Sequence, residues 1–224
     1  MSNLPSKEEM FRALVERQGL ENVQKLQAAT VAVCGLGGLG SNVAIALARA
    51  GVGKLILVDC DTVDVTNLHR QQYKACQVGM PKTEALSQNL KEIAPYIQIE
   101  THFVRMTEES TLALVDRADV VCEAFDKAEA KAMLVNTVLE KNPGQVLVAA
   151  SGMAGFDSAN TILTRKVMKN FYLCGDGTSD VNQGIGLIAP RVMACAAHEA
   201  LTIIRILCGM ENKIAKKECE NGKR

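Results

Sequence analysis

The segment from Thr30 to Asp59 constrains this chain more than any other. Thr30 to Cys34 is a compact β-branched run, as expected of a buried strand. Ser41 to Ala50 is rich in Ala, Leu and Ile and reads as a helix, and Lys54 to Asp59 reads as a second buried strand. Between the first strand and the helix lies Gly35-Leu36-Gly37-Gly38-Leu39-Gly40, a G-x-G-x-x-G turn. The unit is therefore βαβ, with a right-handed crossover. Gly35, Gly37, Gly38 and Gly40 allow the backbone to turn tightly and approach a phosphate, and the helix N-terminus beyond them offers free N–H groups and a partial positive charge. Asp59, about 20 residues on, is placed to accept bonds from ribose hydroxyls. These residues point to a nucleotide site. They do not say which nucleotide, because a nicotinamide dehydrogenase has the same strand, turn, helix and acid, and a packing turn without ligand is the plain alternative.

The rest of the chain extends this unit. Residues 7 to 28 carry Met10, Phe11, Leu14, Val15, Leu20, Val23 and Leu26 at helical spacing with Gly19 as a break, which predicts one or two amphipathic helices. Pro81 suits the first position of a helix running to about Ala94. Ile97 to Val104 alternates like a strand, Thr107 to Val115 reads as a helix and Asp119 to Cys122 as a short strand. Ala128 to Lys141 reads as a helix and Val146 to Ala150 as a strand. Asn160 to Thr164 suggests a strand of another kind, and a polar stretch with Gly175, Gly177, Gly184 and Gly186 precedes a helix from Pro190 to Leu207. The alternation predicts an α/β fold: a Rossmann-like, doubly wound, mainly parallel sheet with N-terminal helices and a C-terminal helix after a crossover loop. Residues 1–211 form a single domain in this reading and 212–224 a charged tail.

Composition limits the function classes. Acidic and basic residues balance at 25 each, so no global field favours nucleic acid or an anionic membrane, and any anion site is local. No stretch approaches the roughly 18 to 20 apolar residues of a membrane span, and the N-terminus lacks an apolar signal region. Eight scattered cysteines, several within apolar runs, read as small core residues of a reduced, cytoplasmic protein. His69, His102 and His198 form no metal pattern.

The discriminating block is Asp59-Cys-Asp61-Thr-Val-Asp-Val-Thr-Asn67-Leu-His-Arg70-Gln71, followed by Pro81-Lys82. Together with the glycine turn, in this order and spacing, it resembles the ubiquitin-activating-like adenylating enzymes, and among them the short, thiamine-pathway ThiF type, over about Val15 to Leu207. The resemblance implies a nucleotidyltransferase that binds ATP and Mg²⁺. It gives Asn67 and Arg70 contacts to the β and γ phosphates, Lys82 a bridge between phosphates near the reacting centre and Asp59 the ribose, with Asp61 and Gln71 also in the nucleotide site. The charges agree with that chemistry: adenylation develops negative charge on departing pyrophosphate and benefits from fixed cations, whereas hydride transfer has no need of them. Asp126 follows the apolar strand ending at Phe125, where α/β sheets place ligands, and the resemblance makes it the Mg²⁺ ligand. Arg17 matches an arginine that family dimers insert into the partner's active site; an ordinary exposed cation is the other reading.

The chain also departs from the pattern. It has no C-x-x-C pair, so the structural zinc of many relatives is not expected. The position where some relatives carry a cysteine that links covalently to the carrier is Asn182 here. Cys174, at the start of the glycine-rich loop, is the candidate thiol, with a structural cysteine as the better reading. The implied function is activation of the C-terminal carboxylate of a small, ubiquitin-like sulfur carrier ending in Gly-Gly, by a homodimer, with the glycine-rich loop covering the carrier's tail. The alternatives are a threonylcarbamoyladenosine dehydratase acting on transfer RNA, which the neutral charge disfavours, a nicotinamide-dependent oxidoreductase, and a non-catalytic nucleotide-binding subunit.

Overall fold

The computed structural model describes residues 4–181, 184 and 186–210. Two helices come first, α1 (Lys7–Gln18) and α2 (Leu20–Ala28). Ser6 and Glu9 close a capping box at the start of α1, and Gly19 separates the two helices at φ +81°, in the left-handed region where L side chains rarely settle. The βαβ unit follows as read: β1 (Thr30–Cys34), α3 (Gly38–Ala50) and β2 (Lys54–Asp59). Then come α4 (Lys82–Ile93), β3 (Gln98–Phe103), α5 (Glu108–Val115), β4 (Val120–Glu123), α6 (Ala128–Lys141), β5 (Val146–Ala150), β6 (Leu163–Met168), β7 (Phe171–Gly175) and α7 (Ala189–Leu207).

The seven strands form one sheet in the order β3-β2-β1-β4-β5-β7-β6, parallel throughout except for β6, which pairs antiparallel with β7. One face packs Val33, Leu57, Cys122 and Val148 under α3, α4 and α7; the other packs Cys34, Val58, Val121 and Leu147 under α5 and α6. Central strands buried on both faces explain the unbroken apolar runs that mark them in the sequence. The doubly wound expectation holds. No helix among the described residues is long and apolar enough to cross a membrane.

Three expectations change. Pro81 is the residue before α4 rather than its first helical residue; its ψ of 132° is extended. The strand expected over Asn160 to Thr164 starts at Leu163 and runs to Met168. Its partner β7 was not expected at all: every residue of β6 is exposed, so this edge shows no alternation, and the Lys169-Asn170 turn lacks the glycine that announces a hairpin. The carboxyl ends of β1, β2, β4, β5 and β7 all reach one edge of the sheet. Loops leaving that edge build the site. Asn182 and the tail 212–224 lie outside the described residues.

Candidate functional site

The glycine turn at this edge is set by backbone crowding. A Cβ at position 40 would stand 1.8 Å from the Gly35 carbonyl oxygen, and one at position 35, where φ is +90°, would stand 2.7 Å from the Ala124 oxygen. Only glycine lets the first turn of α3 close onto β1 while the loop after β4 lies alongside. No side chain caps α3, so its leading N–H groups remain available to a ligand.

Asp59 ties the second strand to this turn. One carboxylate oxygen accepts the Leu36 N–H at 2.6 Å and the other the Asp61 N–H at 2.7 Å. Burial raises its pKa against the opposing pull of Lys82 and of those two N–H bonds. Each oxygen keeps lone-pair capacity for a further donor. Lys82, buried at the start of α4, donates from Nζ to Asp61 at 3.0 Å. Partial burial works against the Asp61 carboxylate, but the Lys82 ammonium prevails and holds it below the ordinary carboxylate range.

The segment from Asn67 to Tyr73 folds over the glycine turn. Asn67 accepts the Asp64 N–H at 3.1 Å, closing a short helical turn. Arg70 lays its aliphatic stem over Gly38, 3.6 Å from where a Cβ there would lie, and its Nη1 donates to the Thr66 carbonyl at 3.2 Å beside His69. Gln71 is buried; its Nε2 faces Gly37, and its Oε1 has no hydrogen-bond partner among the described residues. Three residues that the sequence did not single out hold this arrangement. Asn42 donates to the carbonyls of Gly38 at 2.6 Å and Arg70 at 3.2 Å, Gln72 donates to Asn42 at 2.7 Å, and the Tyr73 hydroxyl donates to Leu36 O at 2.7 Å. A polar Asn inside an otherwise apolar helix is the signal that points to the first of them.

Asp126 lies exposed in the loop after β4, two residues past Ala124. Glu123 shapes that loop: it accepts the Phe125 N–H at 2.8 Å and the Lys131 ammonium at 2.5 Å. Behind it, Glu199 of α7 is fully buried, with Oε1 3.8 Å from Cys122 Sγ and Oε2 unpartnered among the described residues. Burial, reinforced by the nearby Glu123, raises the Glu199 pKa well above the ordinary range. Among the described residues, the acid and thiol ligand atoms close enough to share an ion are those of Asp59, Cys60 and Asp61, and Lys82 already occupies Asp61. An exposed carboxylate such as Asp126 is the kind of donor Mg²⁺ uses alongside phosphate oxygens, so the residues present suit that ion.

Two expected residues stand apart. Arg17 is 82% exposed at the end of α1, and Leu14 of the same helix approaches Gly51, about 20 Å along α3 from the glycine turn. A single chain therefore does not bring Arg17 to this site. Cys174 is not an accessible thiol: α7 packs over its face of β7 and buries it, and burial with the neighbouring Glu199 pushes its pKa up to about 12. A cavity of about 330 Å³, lined in part by Phe11, Leu14, Arg49 and Tyr96, lies at the opposite edge of the sheet.

Comparison with known proteins then decides the family. The ThiF family matches residues 11–221. The chain belongs to the ThiF family. Sulfur carrier protein ThiS adenylyltransferase of Escherichia coli is 31% identical over 215 residues, covering 94% of this chain and 84% of that protein. Adenylyltransferase and sulfurtransferase MOCS3 of Anopheles gambiae is 38% identical over 208 residues, or 88% of this chain and 45% of that one. The chain thus spans less than half the length of the MOCS3 relative. Among solved structures, E. coli tRNA N6-threonylcarbamoyladenosine dehydratase TcdA in complex with AMP has a TM-score of 0.82 at 22% identity, covering 93% of this chain and 98% of that one, a likeness of fold. The ThiF-type resemblance of the sequence motifs therefore holds at the level of the family and its adenylyltransferase class, which leaves no ground for the nicotinamide reading.

Proposed function

We propose that this chain is an ATP-dependent adenylyltransferase that activates the C-terminal glycine carboxylate of a small ubiquitin-like sulfur carrier, of the ThiS kind used for the thiazole of thiamine. The observation that carries the reading is the meeting, at one sheet edge, of the uncapped α3 N-terminus, Arg70 lying over Gly38, and the buried Lys82–Asp61 pair. The carrier carboxylate attacks the α-phosphate, giving an acyl-adenylate and pyrophosphate. The α3 N–H groups and Gln71 hold phosphate oxygens, Asp59 accepts from the ribose, and Arg70 with Asn67 meets the β and γ phosphates. Lys82 shifts between Asp61 and the phosphates as charge develops. Mg²⁺ held by Asp126 would neutralise phosphate charge. No side chain acts as nucleophile; positioning and charge neutralisation supply the acceleration. Arg17 acts in trans, from the second subunit of a homodimer, in the cytoplasm.

The match to ThiS adenylyltransferase over most of both proteins favours the sulfur-carrier substrate. The whole-chain likeness of fold to TcdA favours, as a second reading, a carboxylate borne by transfer RNA. ATP–pyrophosphate exchange with a Gly-Gly-terminated carrier, a tail-truncated carrier and transfer RNA separates the two. Exchange that requires the intact tail supports the first reading; exchange that requires transfer RNA replaces it.

A further inference from the structure

Arg191, in the first turn of α7, is a charged residue outside the nucleotide motifs, and it is 3% exposed. Its five N–H donors all find acceptors. Nε donates to Ala154 O at 3.0 Å, Nη1 to Asp157 O at 2.7 Å and Ser158 O at 2.8 Å, and Nη2 to Thr161 Oγ1 at 3.2 Å and Asp176 at 2.5 Å. Asp176 in turn accepts the N–H groups of Thr178 and Ser179, each at 2.8 Å, and the Ser179 hydroxyl at 2.7 Å, while that hydroxyl oxygen accepts Ala154 N–H at 3.0 Å. One ion pair thus joins the loop after β5 to the loop after β7. Both loops leave the carboxyl edge of the sheet, on the side of β4 away from the ribose acid Asp59.

The same helical turn touches the phosphate turn. Val192, the next residue, brings Cγ1 to 3.0 Å from where a Cβ on Gly38 would lie. A buried ion pair contributes little net stability over a well-packed apolar replacement, so its saturated geometry points to a role in fixing positions. We propose that Arg191 and Asp176 are positioning residues for the acyl substrate: they hold the β5 and β7 loops at a set distance from the glycine turn, so that the chain bearing the carboxylate lies in line with the nucleotide's α-phosphate. The role rests on the adenylation reading above. Neither side chain touches the reacting atoms.

The test compares wild type, Arg191→Lys, Arg191→Met and Asp176→Asn as full chains. Equilibrium binding of an ATP analogue, kcat and KM for a Gly-Gly-terminated carrier in pyrophosphate exchange, and the melting temperature are measured for each. A misplacement near 1 Å costs on the order of 10²-fold in rate, so kcat/KM for the carrier falls by about that factor while affinity for the analogue stays within about twofold. A purely structural role lowers both substrates' parameters in proportion to the folded fraction, and that result overturns the proposal. So does unchanged carrier turnover in all three variants. Should these variants fail to fold, Ser179→Ala, which removes only the hydroxyl joining Asp176 to Ala154, carries the same split on a smaller scale. Wild type without exchange refutes the adenylation reading and the positioning role with it; wild type with exchange and unaffected variants refutes the positioning role alone.

Discussion

Replacing Glu199 by glutamine makes this protein more stable at neutral pH. Glu199, on the face of α7 against β4, is at 0% exposure, with one oxygen unpartnered among the described residues and the other 3.8 Å from a thiol. Lys131 pairs with Glu123 instead. Burial holds the native pKa of this acid well above the value near 4.5 at which it ionises in the unfolded chain. Between that value and the higher native pKa the folded state holds the extra proton, so stability is full below about pH 4.5 and falls by about 1.4 kcal/mol per unit as pH rises. At pH 7, about 2.5 pH units above the unfolded value, the loss reaches at most about 3.4 kcal/mol. A glutamine side chain has the same shape and carries no charge, so the Glu199→Gln variant is spared the loss. Urea denaturation followed by circular dichroism at pH 4.5 and pH 7 reads it directly, and about 3 kcal/mol corresponds to roughly 6–12 °C in Tm for a chain of this length. The two proteins should match at the lower pH and separate at the higher one. An equal or lower stability of E199Q at pH 7, or a gain that does not change with pH, refutes the argument that Glu199 is protonated in the fold.

Further outcomes follow from the site. Lys82→Ala and Asp126→Ala each abolish pyrophosphate exchange with an unchanged circular dichroism spectrum; wild-type turnover in either removes that residue from the mechanism. Gly40→Ala, whose Cβ would stand 1.8 Å from a carbonyl oxygen, destabilises the fold by on the order of 3 kcal/mol in urea, and a neutral result would mean that α3 can shift away from β1. Arg17→Ala alone is inactive, and mixing it with Lys82→Ala under subunit exchange restores activity if the arginine acts in the partner's site; no recovery refutes the trans role.

Where an element is buried on both sides, its sequence announced it. Thr30–Cys34 and Lys54–Asp59 run as the apolar and β-branched pattern requires, and Gly19 divides the N-terminal helices because its φ is positive. The grouping of the candidate site residues was legible through spacing, since Asp59, Arg70 and Lys82 gather around the glycine turn only when β2 and the loop after it return over it. What stayed hidden depends on tertiary neighbours. β7 is short, and its apolar run Phe171–Cys174 carries no turn signal before it and pairs with a solvent-exposed edge strand. Arg191 looks like any helical arginine until α7 buries it against two loops distant in sequence. Gln72 gains meaning only through Asn42, which its amide meets across 30 residues of sequence. Cys174, next to a glycine-rich loop, reads as accessible until α7 packs over it.

The cysteines bear on self-modification. Burial raises the pKa of Cys34, Cys122, Cys174 and Cys195, and in all four a neighbouring glutamate adds to it. Cys60, adjacent to Asp59, is kept in its S–H form by partial burial and by the carboxylates of Asp61 and Asp59. Thiolates, not thiols, attack electrophiles. Under the proposed function, an acyl-adenylate at this sheet edge therefore meets no ready thiolate among the described cysteines beside Asp59, and the activated acyl group waits for sulfur delivered from outside. Cys76, exposed on a turn away from these carboxylates, is the described thiol open to an alkylating reagent.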